Sequence, residues 1–371
     1  MPIALRTSFF MNFDDLISYD ELYESYLKCR RSVSWKPCVK SFDINAPERI
    51  WKMHQQLADG TWKDRKPKPI LIMYPKKREW LSIPFRDRIF QRSINDNVLY
   101  PVVTKSFIEE NSACQIGKGI SHARKITNRN LRRMYINHGR DFYVMQIDIH
   151  HYYQTMPHDG VKAMFKRVLD DDRIYQHVCS VLDTQNDSDH GFNPGSQMIQ
   201  IAGIAYLSPV DHYAKEQLHL RNYQRYMDDF LAFHEDKEYL EKCLGDIVGK
   251  LRAYGFEVNE TKTHVISVKD GFRFLGFDYR LTESGKIVMT IPTEKVRHER
   301  RKLRREVILW SKGDLPKQKI YDGLRSWKST HQGGSTYKVF MRLDQYLSEL
   351  FKEYANENQK TEKQYQRPRQ P

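Results

Sequence analysis

The chain has 371 residues and a mass of 44.3 kDa, which is enough for two or three structural units. Hydrophobic residues make up 40% of it and aromatic residues 12%, so the composition excludes a fully disordered chain. There are 61 lysines and arginines against 47 aspartates and glutamates, a net charge of +14 with a pI near 9.3. This imbalance favours a polyanionic partner, with nucleic acid ahead of an anionic membrane surface.

The sequence predicts no disulfide framework, zinc site or membrane span. Its five cysteines are scattered without a CxxC pair, which is typical of a protein in a reducing cytosol. The first residues lack the long apolar core and the cleavage site of a secretory signal. No run of about 18 apolar residues could span a bilayer. We therefore expect a cytoplasmic protein that binds no membrane.

The first half of the chain is predicted to mix helices with short strands. Apolar residues at helical spacing predict helices within residues 14–60. Prolines bound a predicted strand at 66–75, and a helix is expected at about 87–99. The run FYVMQIDI at 142–149 predicts a buried strand, and helices then lead to a polar loop at 185–195.

The second half is predicted to contain a strand hairpin between helices. An apolar helix begins near residue 196, and YQRYMDDFLAFH at 223–234 predicts two strands joined by a two-residue turn. The remaining predicted elements are an amphipathic helix at 236–255, strands within 256–268 and 272–281, a basic helix at 292–311 and further helix to about residue 354.

Three aspartates are predicted at strand ends that a shared sheet would bring together. Asp148 follows the apolar part of FYVMQIDI, and Asp228 and Asp229 lie at the tip of the predicted hairpin. Adjacent carboxylates in a half-buried hairpin repel each other and lose hydration, so they need a compensating cation. Three oxygen donors suit Mg²⁺, and two such ions serve in-line nucleotidyl transfer. An exposed turn that merely carries two aspartates is the alternative.

Seven motifs follow one another between about residues 15 and 345: KKREWLSIPFRDRIFQ, SACQIGKG, QIDIHHYY, PGSQMIQIAGIAYLSPVDH, YMDD, GFEVNETKT and FRFLGF. In this order they resemble the blocks of a prokaryotic reverse transcriptase. The resemblance implies an α+β right-hand polymerase with fingers, a palm of antiparallel sheet and helices, and a helical thumb. The implied domains are an N-terminal helical extension (1–65), fingers and palm (66–285), a basic helical thumb (286–355) and a disordered tail (356–371).

The resemblance also implies the catalytic residues. Asp148 and Asp228 would hold two Mg²⁺ ions, with Mn²⁺ as the alternative metal, and Asp229 would be the lesser ligand. Ile149 completes the implied metal ligands. Lys262 in GFEVNETKT matches the lysine that protonates the leaving pyrophosphate as a general acid. A surface lysine that follows a strand is the alternative for this position.

Four residues match positions that contact the incoming dNTP. Tyr153 matches an aromatic ring that would collide with a 2′-hydroxyl and so select dNTPs over rNTPs, although its neighbour Tyr152 could equally be the core aromatic residue. Arg78 and Lys76 fall where the fingers contact the triphosphate, which a guanidinium can bridge bidentately. Gln200 is implied to contact the template base or the nucleotide.

Two further groups match positions that hold the primer and the template. FRFLGF resembles the primer grip, a tight hairpin against the primer backbone, and the basic helix at 292–311 resembles a thumb helix that tracks phosphates. A plain β-turn and a solvated helix face are the alternatives. The residues implied are Phe274, Leu275, Gly276, Arg297, Arg301 and Arg304.

One motif departs from the common pattern of the family. Group II intron and retron enzymes usually carry PQG where this chain has Asn193, Pro194 and Gly195. The stretch lies closer to the GxxxSQ form of diversity-generating retroelement enzymes, but Ile199 stands where a serine is expected.

The sequence leads us to predict RNA-directed DNA synthesis on an RNA template, from a DNA or RNA primer and dNTPs. An RNA-dependent RNA polymerase and an inactive nucleic-acid-binding scaffold are the alternatives. YMDD and Tyr153 argue against the former, and the intact aspartates argue against the latter.

The biological role is predicted to be bacterial antiphage defence with a dedicated non-coding RNA, and a partner protein or a homo-oligomer would fit this role. A diversity-generating retroelement or retron-type enzyme is the alternative. The compact chain, the absence of an added catalytic module and the unusual PGSQMIQ favour defence, and the retron motifs NAxxH and VTG do not occur.

Overall fold

The computed structural model of the protein describes residues 11–72, 78–184, 188–193 and 195–365. The chain forms two compact units. The first comprises Met1–Ala123, Met145–Ala232 and Glu238–Val265, and the second comprises Arg124–Val144, Phe233–Lys237 and Ile266–Pro371. The predicted α+β class is confirmed, because the chain combines helices with sheets whose neighbouring strands pair antiparallel.

The first unit begins with the helices predicted within residues 14–60. Asn12 caps the first of them, because its side chain accepts a hydrogen bond from the amide of Asp15 at 2.9 Å. Ser18 caps the second helix in the same way. The bounds are α1 (Phe13–Leu16), α2 (Tyr19–Arg30), α3 (Pro37–Asp43) and α4 (Ala46–Ala58).

A two-stranded sheet and a broken helix follow. The antiparallel pair places Ile70 opposite Trp80. A π-helical turn at Asn95–Leu99 then replaces the last part of the helix predicted at 87–99. The helix Tyr100–Thr104 follows it directly and has a proline in its first turn. The elements are β1 (Lys68–Ile72), β2 (Arg78–Ser82), α5 (Phe85–Ile94), α6 (Tyr100–Thr104) and α7 (Ile120–His138).

A further sheet has four strands in the order β4-β5-β3-β6. Its strands are β3 (Tyr143–Asp148), β4 (Tyr223–Tyr226), β5 (Asp229–His234) and β6 (His264–Ser267). Tyr226 pairs with Asp229, so Met227 and Asp228 form the predicted two-residue turn. Met227 adopts a left-handed conformation with φ of +58°, as such turns require. Because β5 and β3 are neighbours, the turn and the end of β3 belong to one sheet.

Helices of the first unit pack around this sheet. The most apolar of them, α11, is buried on nearly every side, which explains why its sequence shows no polar stripe. Ser196 caps it by accepting from the amide of Met198 at 3.2 Å. The helices are α8 (Tyr152–Thr155), α9 (His158–Val168), α10 (Asp172–Asp183), α11 (Gln197–Tyr206), α12 (Ser208–His212) and α13 (Lys237–Ala253).

The second unit contains a three-stranded antiparallel sheet and a helical core. The core is apolar and joins the last three helices through Leu303, Val307, Ile320, Leu324, Leu343, Leu347, Leu350 and Phe351. The elements are β7 (Phe272–Phe274), β8 (Phe277–Leu281), β9 (Ile287–Thr290), α14 (Thr293–Ser311), α15 (Lys317–Thr330) and α16 (Tyr337–Tyr365).

The structure differs from the sequence prediction at several elements. Helix α7 and strand β9 were not predicted. A strand was expected over residues 256–268, but only His264–Ser267 (β6) forms one. Before it, Val258 makes one isolated bridge to Ile149. Helix α16 continues to Tyr365, ten residues into the expected disordered tail, where glutamate, glutamine and lysine favour helix.

Within the described residues, no helix is long and apolar enough to cross a membrane.

Candidate active site

The three predicted catalytic aspartates meet at one end of the four-stranded sheet. Asp148 is the last residue of β3, Asp228 lies in the β4–β5 turn and Asp229 begins β5. Burial raises the pKa of Asp228, and the negative charge of Asp148 raises it further. Burial, followed by the charges of Asp228 and Asp148, raises the pKa of Asp229 to about 7. Each carboxylate therefore disfavours ionisation of the next, as expected for a group that binds cations.

Lys262 lies directly against the first of these aspartates. Its Nζ is 3.0 Å from Oδ1 and 3.1 Å from Oδ2 of Asp148. The lysine side chain is 62% exposed and the aspartate 16% exposed. The backbone carbonyl of Asp148 accepts a hydrogen bond from the amide of Asn259 at 2.7 Å, and the amide of Asp148 donates to Thr263 Oγ1 at 3.3 Å. The segment 259–263 is thus fixed to β3, and it carries Lys262 to the site.

A buried arginine supports the turn that carries Asp228. Nε and Nη2 of Arg225 donate to the two carboxylate oxygens of Asp211 at 2.7 and 2.6 Å, and both side chains are fully buried. Nη1 donates to the carbonyl of Met227 at 3.0 Å, and Nη2 also donates to the carbonyl of Ile204 at 3.0 Å. The guanidinium therefore links the residue before Asp228 to the helical part of the unit.

Further hydrogen bonds hold this ion pair. Asp211 accepts from Tyr223 Oη at 2.7 Å and from Asn111 Nδ2 at 3.3 Å. The backbone of Arg225 bonds to the segment 110–112 on its other side, with N–O distances of 3.2 Å. Sequence reasoning assigned no role to this pair. The available signal was a single acidic residue in α12 and a single basic residue in β4, 14 positions apart.

The two tyrosines after β3 occupy different environments. Tyr152 is buried, donates to the carbonyl of Gly203 and packs against Phe256 with ring centroids 5.2 Å apart. Tyr153 is half-buried, and its Oη lies 3.7 Å from Sδ of Met227 in the YMDD turn. A Cβ on Gly203 would lie 3.1 Å from the Tyr153 ring, so glycine makes room for this ring. Tyr152 is the core residue, and Tyr153 is the one beside the turn.

Of the other three residues predicted to contact the nucleotide, two lie within the described residues. Gln200 is half-buried on α11, with its Oε1 3.8 Å from Sγ of Cys114. Arg78 is the first residue of β2, and Lys76 lies outside the described residues.

Gly195 and Ser196 of the unusual PGSQMIQ stretch each lie close to another element. A Cβ on Gly195 would lie 2.9 Å from the carbonyl oxygen of Leu81, so only glycine fits there. Ser196 donates to Oε1 of Gln91 on α5 at 3.0 Å. Two elements therefore constrain the entry to α11, despite the departure from the common motif.

The predicted primer grip forms a hairpin in the second unit. Phe274 pairs with Phe277, and Leu275 and Gly276 form the turn with φ of +44° and +82°. Nη2 of Arg124 lies 3.4 Å from the carbonyl oxygen of Leu275, and its guanidinium stacks 4.3 Å from the Phe277 ring. The hairpin is as the sequence predicted, and its contact with a primer remains a prediction.

The predicted thumb residues Arg297, Arg301 and Arg304 are all exposed on α14. Other cations of this helix are engaged within the unit. Arg300 stacks 4.2 Å from the Tyr346 ring, and Lys302 contacts the buried Glu299 at 3.1 Å. Arg304 is itself hydrogen-bonded to Tyr354, and the contact of the three arginines with phosphates remains a prediction.

The carboxylates fit a divalent cation in their chemistry. No group of three or more His, Cys, Asp or Glu side chains in the described part of the chain already has the spacing of a metal site. The donors are nevertheless hard oxygens, their charges oppose one another, and a lysine ammonium already neutralises Asp148. Asp148 and Asp228, with Asp229 and Ile149 beside them, are the residues that would hold such an ion.

A four-stranded sheet with carboxylates at the end of one strand and in the adjacent hairpin turn is the palm of a nucleic-acid polymerase. The sequence profile of the family described as reverse transcriptase (RNA-dependent DNA polymerase) matches residues 74–279, more than half of the chain. The protein therefore belongs to the reverse transcriptase family of nucleotidyltransferases, whose members generally use divalent metal ions.

Solved telomerase structures resemble the chain at low sequence identity. Apo telomerase from Candida tropicalis is 16% identical over 61% of this chain and 49% of its own, with a TM-score of 0.44. Telomerase from Candida albicans, in complex with a fragment of telomeric RNA, is 14% identical over 78% of this chain and 59% of its own, with a TM-score of 0.45. The protein thus spans about half of the telomerase chains it matches. No curated protein sequence matches it.

Proposed function

We propose that the protein is an RNA-directed DNA polymerase that adds dNTPs to the 3′ end of a primer. The observation that carries this proposal is the meeting of Asp148, Asp228 and Asp229 at one end of the palm sheet, with Lys262 on Asp148. The 3′ oxygen of the primer would form a bond to the α-phosphorus as the bond to the bridging oxygen breaks. Pyrophosphate leaves, and the hydroxyl proton passes to solvent.

The aspartates would hold two Mg²⁺ ions, which when bound lower the pKa of the attacking hydroxyl and neutralise the triphosphate. Nζ of Lys262 lies 3.0 and 3.1 Å from the two carboxylate oxygens of Asp148. Because its side chain is 62% exposed, it can turn towards the leaving pyrophosphate and donate a proton to it.

Tyr153 would select the sugar. Gly203 leaves room for its ring, and the hydroxyl contacts Met227 beside the catalytic turn. A rigid ring at this place leaves no room for a 2′-hydroxyl, so dNTPs would be preferred over rNTPs. Replacing Tyr153 with valine should increase rNTP incorporation relative to dNTP incorporation, whereas Tyr152→Phe should not.

Primer extension on an RNA template, with dNTPs and Mg²⁺, tests the proposal. The wild type should incorporate dNTPs, and Asp228→Asn, which keeps the size of the side chain, should abolish incorporation. Incorporation of rNTPs alone would make the protein an RNA polymerase. No incorporation on any primed template would leave a nucleic-acid-binding scaffold and refute the proposal.

We further propose a prokaryotic, cytoplasmic enzyme of antiphage defence that copies a dedicated non-coding RNA. The departure at Asn193–Gly195 from the PQG of intron and retron enzymes supports this assignment. A diversity-generating retroelement enzyme is the second candidate, favoured by Gly195 and Gln200 in the GxxxSQ form. Sequencing the nucleic acid that co-purifies with the protein separates the two. The RNA bound to a retroelement enzyme would contain a template repeat related to a gene that neighbours the gene of the enzyme.

A further inference from the structure

A cationic pocket lies among the helices of the first unit, at residues to which the polymerase reaction assigns no role. The pocket has a volume of about 390 Å³ and is surrounded by residues of four elements: α3, α4, the segment before β1 and the first turn of α5. All of them belong to the first unit. We call it the α4 pocket, and the residues that define it are Phe42, Arg49, Lys52, Gln56, Arg65 and Arg86.

Arg86 is the fixed cation of the α4 pocket. Its Nη2 donates to the carbonyl of Lys63 at 2.6 Å and to Oδ1 of Asp87 at 3.0 Å, and its Nη1 donates to Oε1 of Gln56 at 3.5 Å. The guanidinium also stacks 3.8 Å from the centroid of the Trp62 ring. Arg86 therefore joins α4, α5 and the segment before β1, and it sets the shape of the pocket before any ligand binds.

Carboxylates beside the α4 pocket neutralise two of its four cations. Oε1 of Glu48 lies 2.7 Å from Nζ of Lys52, and Oδ1 of Asp87 lies 3.0 Å from Nη2 of Arg86. Neither carboxylate lines the pocket, and no other aspartate or glutamate among the described residues does. These two pairs therefore add little net charge to the pocket.

The other two cations, Arg49 and Arg65, keep their charge. Both side chains are exposed, and neither guanidinium forms a salt bridge or a hydrogen bond with any described residue. The guanidinium of Arg49 lies 5.5 Å from the centroid of the Phe42 ring, which also lines the pocket. Arg49 comes from α4 and Arg65 from the segment before β1, so two elements each bring one positive charge to a single cavity. Like charges placed together repel each other, and an anion in the pocket would remove this repulsion.

We propose that the α4 pocket binds the terminal phosphate of an RNA strand. A guanidinium binds two phosphate oxygens at once, so arginine suits this ligand. A terminal phosphate monoester carries a charge of about −1.5 to −2 near pH 7, whereas a backbone phosphodiester carries about −1. The charge of the monoester matches the two arginines that have no carboxylate partner among the described residues. The pocket therefore fits the end of a strand better than its middle.

The size of the pocket and the family of the chain agree with this ligand. Pockets for small ligands measure about 300–1,000 Å³, and the α4 pocket lies at the lower end of this range. A cavity of this size suits a single nucleotide rather than a length of duplex. Because the chain belongs to a family of RNA-dependent DNA polymerases and has a net charge of +14, RNA is the phosphate-bearing partner that fits the whole protein.

Titration of three matched RNA strands tests the site without any DNA synthesis. The probes are short single strands of one sequence with an internal label, and they carry a 5′-phosphate, a 3′-phosphate or hydroxyls at both ends. Each is titrated with the full chain. We expect at least one phosphorylated strand to bind about tenfold more tightly than the strand with hydroxyl ends, and the tighter strand identifies the end that enters the pocket. Equal affinity for the three strands would overturn the proposal.

Two double variants connect this preference to the α4 pocket. Arg49→Gln with Arg65→Gln, the pocket variant, should reduce the preference to about twofold or less, because both guanidinium groups without a carboxylate partner are lost. Arg252→Gln with Arg325→Gln removes the same charge from exposed arginines that already face a carboxylate, and this control should keep the full preference. The ratio of affinities for two strands cancels the general attraction of a basic protein for RNA. A preference that persists in the pocket variant, or that falls equally in both variants, would overturn the proposal.

Two measurements on the wild type locate the site and identify its ligand. A thiouridine placed at the nucleotide that carries the preferred phosphate should crosslink to peptides that cover residues 42–65 or residue 86. Crosslinks only elsewhere would overturn the proposal, even if the pocket variant failed to fold. Competition by AMP that is as effective as competition by the phosphorylated strand would assign the pocket to a free nucleotide and overturn the assignment to RNA.

Primer extension separates this site from the polymerase reaction. Extension of a pre-annealed template–primer whose template has hydroxyl ends should be unchanged in the pocket variant. Loss of extension would place the α4 pocket in the path of the template and overturn a separate site for the terminal phosphate. If wild type extended no primer, the proposed polymerase would fail while the titrations still measured the preference for phosphate.

Discussion

Two salt bridges in the first unit lie beside the catalytic turn, and they have opposite environments. Arg225 and Asp211 are fully buried, and two hydrogen bonds join their side chains. Lys262 and Asp148 form a pair in which the lysine is 62% exposed. The first pair supports the backbone of the turn through the carbonyl of Met227, whereas the second places an exposed cation on a carboxylate of the candidate site.

The difference follows from the dielectric around each pair. Removing one partner of a buried pair leaves an uncompensated charge, which costs about 3–5 kcal/mol. An exposed pair contributes about 1 kcal/mol or less, because water and salt screen it. Burial therefore makes the Arg225–Asp211 pair costly to break, whereas exposure leaves the Lys262–Asp148 pair easy to separate.

The largest effect is expected for the buried pair. Arg225→Met should lower the free energy of unfolding by about 3–5 kcal/mol, because Asp211 is left charged and buried. Chemical denaturation measures this loss, and primer extension should be abolished with it.

A double variant separates stability from positioning. Arg225→Met with Asp211→Asn removes both charges and keeps an acceptor for Tyr223. We expect it to recover most of the lost stability but not synthesis, because the carbonyl of Met227 still lacks its donor. Full recovery of synthesis would show that the pair only stabilises the fold.

An intermediate effect of the opposite sign is expected for Asp229→Asn. Burial and two neighbouring carboxylates oppose the charge of Asp229, so its removal should raise the free energy of unfolding at neutral pH by about 1 kcal/mol without divalent ions. Thermal or chemical denaturation with a chelator present measures this. Lower stability of the variant would contradict repulsion at the site.

The smallest effect on stability is expected for Lys262→Ala. Loss of an exposed pair should change the free energy of unfolding by about 1 kcal/mol or less, and high salt should remove the difference. Synthesis should nevertheless fall about 100-fold or more if the lysine is the general acid, with partial activity in Lys262→Arg. Rapid-quench measurement of single dNTP addition tests this, and an unchanged rate would assign the lysine a purely electrostatic role.

The sequence predicted the catalytic turn because its pattern is local. Alternation in YQRYMDDFLAFH indicates two strands joined by a two-residue turn, which the structure places at Met227 and Asp228. Asp148 comes close to the turn because β3 and β5 are neighbouring strands, an arrangement that the palm of the family implied.

Other features were beyond the sequence for physical reasons. Helix α7 buries Thr127 and Asn130 among its apolar residues, so its apolar stripe is interrupted. The pairing of Arg225 with Asp211 joins a strand to a helix, and in the sequence Arg225 looks like one more cation beside the aspartates. Only the folded chain shows that its charge is already neutralised.

The buried pair also has an evolutionary consequence. Because loss of either Arg225 or Asp211 leaves its partner charged and without a counterion, each single replacement passes through a poorly folded protein. The cost is much lower when both positions change together. Lineages that descend from this enzyme should therefore keep both residues or exchange both, and the two columns of an alignment should vary as one.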